Sequence, residues 1–225
     1  MPIGLYSLNL WKMAYRKINF NTERKGVYII LDMRTFTATA LRKLNHLLSN
    51  QVIAVQLWDS DNMPSHNILE SIIEIVHRHT IPILINNKYE LMRNYDFDGV
   101  HFDDIPPNWE YVKSQLTHKI VGVTCTNDMD IVQWANDQQI DYLSFCSMFP
   151  SENNTRCVLV DRALIKNVQQ HYAIPFFLAG GIKPHNINLL EEINYAGIAI
   201  VSGLMSAENP KEVINTYYQA LNIKP

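Results

Sequence analysis

Eight times between Val27 and the C-terminus, a short apolar run is followed by a segment whose apolar residues have helical spacing. The apolar runs are rich in Val, Ile and Phe, as in strands that are buried on both faces. Helices between such strands favour right-handed parallel crossovers. The eight runs are VYIILD, VIAVQLW, IPILIN, DGVHF, KIVGVT, DYLSFC, IPFFLAG and GIAIVSG.

Eight strand-helix units on about 200 residues predict a closed barrel. An open doubly wound sheet also alternates, but it usually has fewer strands and a glycine-rich turn after the first one. Here Met33-Arg34-Thr35 follows the first run, without glycine. We therefore predict the α/β class and a single-domain (β/α)₈ TIM barrel over residues 26–225. Residues 1–25 have no clean strand signal, and we predict an N-terminal extension that packs against or caps the barrel.

Composition indicates which binding partners and which cellular location to expect for the chain. The chain has 225 residues, 47% of them hydrophobic, and a formal net charge of −3. Because there is no basic excess and no apolar run of about 18 residues, we expect neither nucleic acid nor a membrane as a partner. The three cysteines form no C-x-x-C pair, and no signal peptide is recognisable, so a cytoplasmic location is predicted. The sequence leaves a homo-oligomer open.

Glycines follow the seventh and eighth strands, which is where barrels of this kind bind phosphate. Gly180 and Gly181 end the seventh run, and Ser202-Gly203 ends the eighth. Glycine lets a backbone approach an anion closely and direct its N–H groups at it. We predict a phosphate site here and a phosphorylated small molecule as the ligand. The alternative is that Gly180 and Gly181 only turn the chain.

The middle and last strands carry a more specific resemblance. VQLW, ILINNKYELMRNYDFDGVHFDD, GVTCTNDMDIVQWANDQQIDYLSFCSMFPSENN and IPFFLAGGIKPHNINLLEEINYAGIAIVSGLMSAENP resemble consecutive segments of the thiamine-phosphate synthase family, which also includes a thiazole tautomerase. The resemblance spans roughly residues 26 to 222. Synthases of this family join hydroxymethylpyrimidine diphosphate to thiazole phosphate and release diphosphate. Mg²⁺ and basic residues hold the leaving diphosphate, whose developing charge needs preorganised cations.

Several positions match the family's pattern. The resemblance implies a pyrimidine contact for Gln56 and a diphosphate contact for Asn86. Thr124 stands where the family has a serine, and Ser151 stands where it has a threonine that helps bind the thiazole phosphate. Gly181 and Ser202 match phosphate-binding positions. For Gln56 and Asn86, ordinary hydrogen bonding at the barrel mouth is the alternative interpretation.

Five charged positions of the family are absent. Trp58 and Ser60 replace an Arg and a Lys after the second strand, Asn87 and Pro106 replace two magnesium-binding Asp residues, and Asn154 replaces a Lys. Asp103 and Asp104, just before Pro106, are candidate substitute metal ligands. Asp59 and Arg156 are candidate substitute charges, and Trp58 is a candidate for stacking on a substrate ring.

These features predict a thiamine-phosphate synthase-like transferase that uses Mg²⁺ if it is active, with weakened or lost activity. One alternative is a non-catalytic barrel of the same family that binds a phosphorylated ligand as a regulator or carrier. Another is a phosphosugar-type isomerase. The tautomerase activity is disfavoured because Thr126 replaces that subfamily's histidine. His101 is expected to line the barrel, and Asp98 to fix the turn into the fourth strand.

Overall fold

The computed structural model describes residues 20–58, 64–150, 158–201 and 203–223. Ser151 and Ser202, both predicted to contact phosphate, lie outside the described residues, as do Asp59, Ser60, Asn154 and Arg156.

Eight parallel strands close into a barrel, which confirms the predicted (β/α)₈ TIM fold. Each strand pairs with the next along the chain, and the last pairs with the first through Gly26 opposite Gly197. The strands are β1 Gly26–Asp32, β2 Val52–Trp58, β3 Ile83–Asn86, β4 Gly99–Phe102, β5 Ile120–Thr124, β6 Tyr142–Cys146, β7 Phe176–Ala179 and β8 Gly197–Ile200.

Six α-helices surround the described barrel: α1 Ala40–Leu47, α2 His66–Arg78, α3 Trp109–Gln115, α4 Met129–Asp137, α5 Arg162–His171 and α6 Pro210–Ala220. The helices predicted after β3 and β7 are instead 3₁₀ helices, Tyr89–Arg93 and Pro184–Leu190. A 3₁₀ helix rises further per residue than an α-helix, so it suits a short return path. None of the described helices is long and apolar enough to cross a membrane.

The core has two layers. Aliphatic side chains fill the larger layer, which lies between the strands and the helices. Rings of Tyr28, Tyr142 and Phe177 fill the barrel interior and lie on three different strands. The ring of Phe20, before β1, lies 5.4 Å from that of Tyr142, centroid to centroid. The residues just before the first strand therefore contact the interior rings.

Candidate active site

Polar side chains cross the barrel interior towards the carboxyl ends of the strands, where the loops of such a barrel bind ligands. We call this set the buried network. Its members form a continuous run of hydrogen bonds and are Thr124, His101, Tyr142, Tyr28, Gln56, Asn86 and Asp103. The three predicted catalytic residues, Gln56, Asn86 and Thr124, all belong to it.

Amide groups make up one half of the buried network. The Gln56 amide nitrogen donates to Asn86 Oδ1 at 2.6 Å, and the Tyr28 hydroxyl donates to Gln56 Oε1 at 3.0 Å. Asn86 Nδ2 donates to the Asp103 carboxylate at 2.9 Å. Gln56 and Asn86 are buried, whereas Asp103 is exposed. The run of amides therefore links the barrel interior to a carboxylate at the barrel mouth.

Hydroxyls and an imidazole make up the other half. Tyr28 and Tyr142 bring their hydroxyl oxygens to 2.9 Å. His101 Nδ1 lies 2.9 Å from the Tyr142 hydroxyl, and His101 Nε2 lies 2.9 Å from Thr124 Oγ1. The His101 and Tyr142 rings are stacked, with centroids 5.6 Å apart. His101 lines the barrel, as expected, but it also links a predicted catalytic residue to two tyrosines.

Burial keeps these groups neutral. It raises the pKa of both Tyr28 and Tyr142 above the ordinary range. It also lowers the pKa of His101 to about 4, and the field of the Asp103 carboxylate only partly opposes this effect. A buried cation without an adjacent counter-charge is costly, so the interior favours the uncharged imidazole.

The His101 pKa predicts an acid-sensitive stability. The folded protein holds His101 neutral down to about pH 4, whereas the unfolded chain protonates it near its ordinary 6.5. Unfolding therefore takes up a proton in this window, and stability falls as the pH drops from 6.5 towards 4. The loss attributable to His101 is about 3 kcal/mol. Urea unfolding at several pH values checks it: His101→Gln should flatten the slope, and an unchanged slope would contradict the assignment.

The candidate metal ligands make local contacts. Asp103 Oδ2 accepts from Asn87 Nδ2 at 2.8 Å in addition to the Asn86 amide, and the Asp103 backbone N–H donates to Asn87 Oδ1. Asp104 Oδ1 accepts from the backbone N–H of Ile105 at 2.7 Å. In the described ranges, no group of three or more His, Cys, Asp or Glu is placed to hold a metal ion.

These contacts fit one kind of magnesium site. Both asparagine amides present N–H groups to the Asp103 carboxylate. Their oxygens already accept hydrogen bonds, that of Asn86 from Gln56 and that of Asn87 from the Asp103 backbone N–H. A carboxylate alone suits a Mg²⁺ ion that keeps its waters and takes further ligands from a substrate's phosphates. The described residues therefore fit a metal that arrives with diphosphate and do not form a preformed cage.

Trp58, the candidate stacking residue, already carries a cation on its ring. The Arg34 guanidinium lies 4.6 Å from the ring centroid. Arg34 also forms two hydrogen bonds with the Asp32 carboxylate, at 2.9 and 2.7 Å. These bonds lower the pKa of Asp32. A positive charge from the loop after β1 therefore lies beside the residue that replaces the family's strand-two arginine.

The glycines after β7 are required by their backbone conformations and close contacts. Gly180 and Gly181 have φ values of +83° and +68°. A Cβ on Gly181 would lie 2.3 Å from the carbonyl oxygen of Phe149. Gly203 also has a positive φ, +91°, but a Cβ there would meet none of the described residues within 4 Å. The β7 glycines thus allow the loops after β6 and β7 to pack closely, whereas Gly203 has no such close contact with the described residues.

This difference predicts unequal effects on stability. Gly181→Ala combines a left-handed backbone with a backbone clash, so we expect it to lower the free energy of unfolding by about 3 kcal/mol. Gly203→Ala has the backbone cost alone, about 1 kcal/mol. Denaturant unfolding of the two variants side by side checks the prediction. Equal losses would mean that the loop after β6 moves aside without cost.

One described cavity lies beside the mouth. It has a volume of about 340 Å³. Residues from the end of β1 to α1 and from the loop after β8 line it, among them Asp32, Thr35, Lys43, Gly203 and Met205. It therefore adjoins the loop that carries the predicted phosphate-binding Gly203. Lys43 on α1 donates to the carbonyl oxygen of Ala207 at 2.7 Å, which ties α1 to the loop after β8.

Comparison with known proteins identifies the family of this barrel. The family model described as thiamine monophosphate synthase matches residues 27–204. The chain belongs to this family. A thiamine-phosphate synthase of Xylella fastidiosa is 27% identical over 205 residues, covering 90% of this chain and 87% of the relative. A Picrophilus torridus thiamine-phosphate synthase is 28% identical over 147 residues, covering 65% and 72%.

Solved structures agree on the fold. The thiamine phosphate pyrophosphorylase of Pyrococcus furiosus superposes with a TM-score of 0.73 at 19% identity, covering 89% of this chain and 97% of that one. The resemblance to the thiamine monophosphate synthase family, predicted from four segments, is confirmed, and membership places the chain in a family of thiamine biosynthesis.

Two residues of the buried network were not predicted from the sequence. Tyr28 and Tyr142 lie within strands, and their hydroxyls bridge the Gln56 and His101 halves. A signal was available, because a tyrosine inside an apolar strand normally needs a hydrogen-bond partner. Arg34 was also missed, since its position over Trp58 depends on how β1 and β2 pair.

Proposed function

We propose that this chain joins hydroxymethylpyrimidine diphosphate to thiazole phosphate and releases diphosphate. The observation that carries the proposal is the hydrogen-bonded set of Gln56, Asn86 and Asp103 at the mouth of a barrel of this family. The set brings amide groups suited to a pyrimidine and a carboxylate suited to a diphosphate-bound metal to the same place. Thr124 lies at the opposite end of the same network.

In the proposed reaction the thiazole nitrogen forms a bond to the methylene carbon of the pyrimidine. The carbon–oxygen bond to diphosphate breaks, and its electron pair leaves with the diphosphate. Gln56 orients the pyrimidine through its amide, which Tyr28 and Asn86 hold in place. Held in this way, the reacting carbon needs little reorganisation to meet the incoming nitrogen.

Charge on the departing diphosphate is the main demand on the site. A bound Mg²⁺ would neutralise part of that charge, with Asp103 as the protein carboxylate on it and Asp104 as the second candidate. Arg34 is a candidate cation from the loop after β1, because it lies over the ring of Trp58. The thiazole phosphate is assigned to the loops of Gly180, Gly181 and Gly203, with Ser151 and Ser202 as further contacts.

Turnover tests the proposal. The purified chain is incubated with hydroxymethylpyrimidine diphosphate and thiazole phosphate, with and without Mg²⁺, and thiamine phosphate is quantified beside an authentic synthase. Mg²⁺-dependent product is expected. No product from protein that is folded by circular dichroism would refute synthase activity.

The contacts of Asp103 favour a second candidate, a barrel that binds a phosphorylated ligand without turnover. Two amide donors that could serve a diphosphate already donate to that carboxylate. Titration calorimetry with thiazole phosphate in the absence of Mg²⁺ separates the candidates. Binding without turnover supports the carrier or regulator, whereas binding followed by Mg²⁺-dependent turnover supports the synthase.

A further inference from the structure

The buried network has two ends at the barrel mouth and a buried middle. Asp103 is exposed and Thr124 is half-buried, whereas His101 and Gln56 are 5% and 3% exposed. Each member between the ends bonds to one neighbour on either side. In a run that has no branch among the described residues, the proton positions at one end determine those at the other.

Asp103 fixes which group donates and which accepts in each hydrogen bond of the buried network. An ionised carboxylate only accepts hydrogen bonds, so Asn86 must turn its NH₂ group towards it. Asn86 Oδ1 then accepts from Gln56, and Gln56 Oε1 accepts from Tyr28. The reversed arrangement would place an amide oxygen of Asn86 against the carboxylate oxygen, and neither has a proton to share.

The two tyrosine hydroxyls extend the same order of donors and acceptors to His101. Each neutral hydroxyl has one proton. Tyr28 uses its proton on Gln56, so Tyr142 must donate to Tyr28. Tyr142 then has no proton for His101, so the Nδ1 of His101 must carry the hydrogen of that bond. Nε2 is left as an acceptor, and the Thr124 hydroxyl donates to it.

We propose that Asp103 is a positioning residue that holds His101 as the Nδ1–H tautomer and turns the Thr124 proton inward. His101 stays uncharged because its two ring nitrogens contact only hydroxyl groups in a buried site, where a cation would be costly. The carboxylate thereby acts on Thr124 across the barrel, through five intervening side chains.

This polarity determines which ligand groups the mouth accepts. Thr124 has committed its only proton to His101, so it offers a ligand only lone pairs. A ligand group at Thr124 must therefore be an N–H or O–H donor. Gln56 and Asn86 each have a second amide hydrogen, so their end of the network suits a ligand acceptor. A ligand that reaches both ends would therefore present an acceptor to Gln56 and Asn86 and a donor to Thr124.

The tautomer is measured without substrate, from the ¹⁵N chemical shifts of the His101 ring at neutral pH, assigned with His101→Gln. Protonated and unprotonated ring nitrogens differ widely in shift. We expect Nδ1 at the protonated position and Nε2 at the unprotonated one. The opposite pattern in the unmodified chain would overturn the proposal whatever the variants do.

Variants test whether Asp103 sets the order of donors and acceptors in the buried network. Asp103→Ala removes the acceptor, so the two ring shifts should move towards each other as both tautomers become populated. Asp103→Asn should keep the original shifts, because two amide donors converge on one oxygen and select the new carbonyl oxygen. Thr124→Val should also keep Nδ1 protonated, since the direction is set from the other end.

Glu110→Gln is the matched control, because it removes an exposed carboxylate from the start of α3, in the same crossover. Its His101 shifts should equal those of the unmodified chain. Unchanged shifts in Asp103→Ala, or averaged shifts in Asp103→Asn, would refute Asp103 as the origin. Because no turnover is involved, these results stand whether or not the proposed synthase activity is found.

Discussion

Asp103→Asn should lower Mg²⁺-dependent formation of thiamine phosphate by about 100-fold, the usual effect of removing one group that stabilises charge in the transition state. The substitution keeps the shape of the side chain and an acceptor oxygen for Asn86 and Asn87. It removes the negative charge that the proposed reaction uses to hold a diphosphate-bound metal. Steady-state rates at several Mg²⁺ concentrations measure the effect, and the variant should need more Mg²⁺.

Two further variants distinguish the effect of losing the Asp103 charge from the effect of losing a nearby carboxylate. Glu110→Gln removes an exposed carboxylate from the same crossover and should leave the rate unchanged. Asp104→Asn should lose less than tenfold, because the Asp104 carboxylate is already bonded to the backbone N–H of Ile105. A full rate for Asp103→Asn would mean that Asp103 does not hold the metal, and the diphosphate contacts would have to be sought elsewhere.

The barrel was predictable because its signal is repeated. Each strand is a continuous apolar run, and the sequential order β1 to β8 follows from seven short crossovers. The two 3₁₀ crossovers were not predictable as such, since Tyr89–Arg93 and Pro184–Leu190 contain the apolar spacing of a short helix. Their backbone form depends on the distance that they must span, and periodicity does not encode that distance.

The candidate site was only partly predictable. Gln56, Asn86 and Thr124 could be named because they match positions of the family's pattern, and Asn86 and Thr124 also end strands, which meet at the mouth. The role of Asp103 as terminal acceptor could not be named, since it depends on two asparagines that donate to one oxygen. The position of Arg34 over the Trp58 ring could not be predicted either, because it depends on the register in which β1 pairs with β2.

The other large effect is expected at the opposite end of the barrel. Asp98 precedes β4 and is 3% exposed. Its Oδ2 lies 2.8 Å from His77 Nε2 on α2 and accepts from the backbone N–H of Ile83 at 2.8 Å. One carboxylate thus joins α2 to the start of β3. Residues on this N-terminal face of such a barrel usually contribute to stability and not to catalysis.

Asp98→Ala should lower the free energy of unfolding by about 3 kcal/mol, because it removes the carboxylate that the buried N–H of Ile83 and the buried imidazole of His77 both contact. Asp96→Ala is the control. Asp96 also approaches His77, but at 3.8 Å and with a side chain that is 72% exposed, so its loss should cost less than about 1 kcal/mol. Urea unfolding with a common m-value measures both. Equal losses would mean that the exposed Asp96 stabilises His77 as much as Asp98 does. The expected difference would mean that the buried Asp98 carboxylate provides most of the stabilisation.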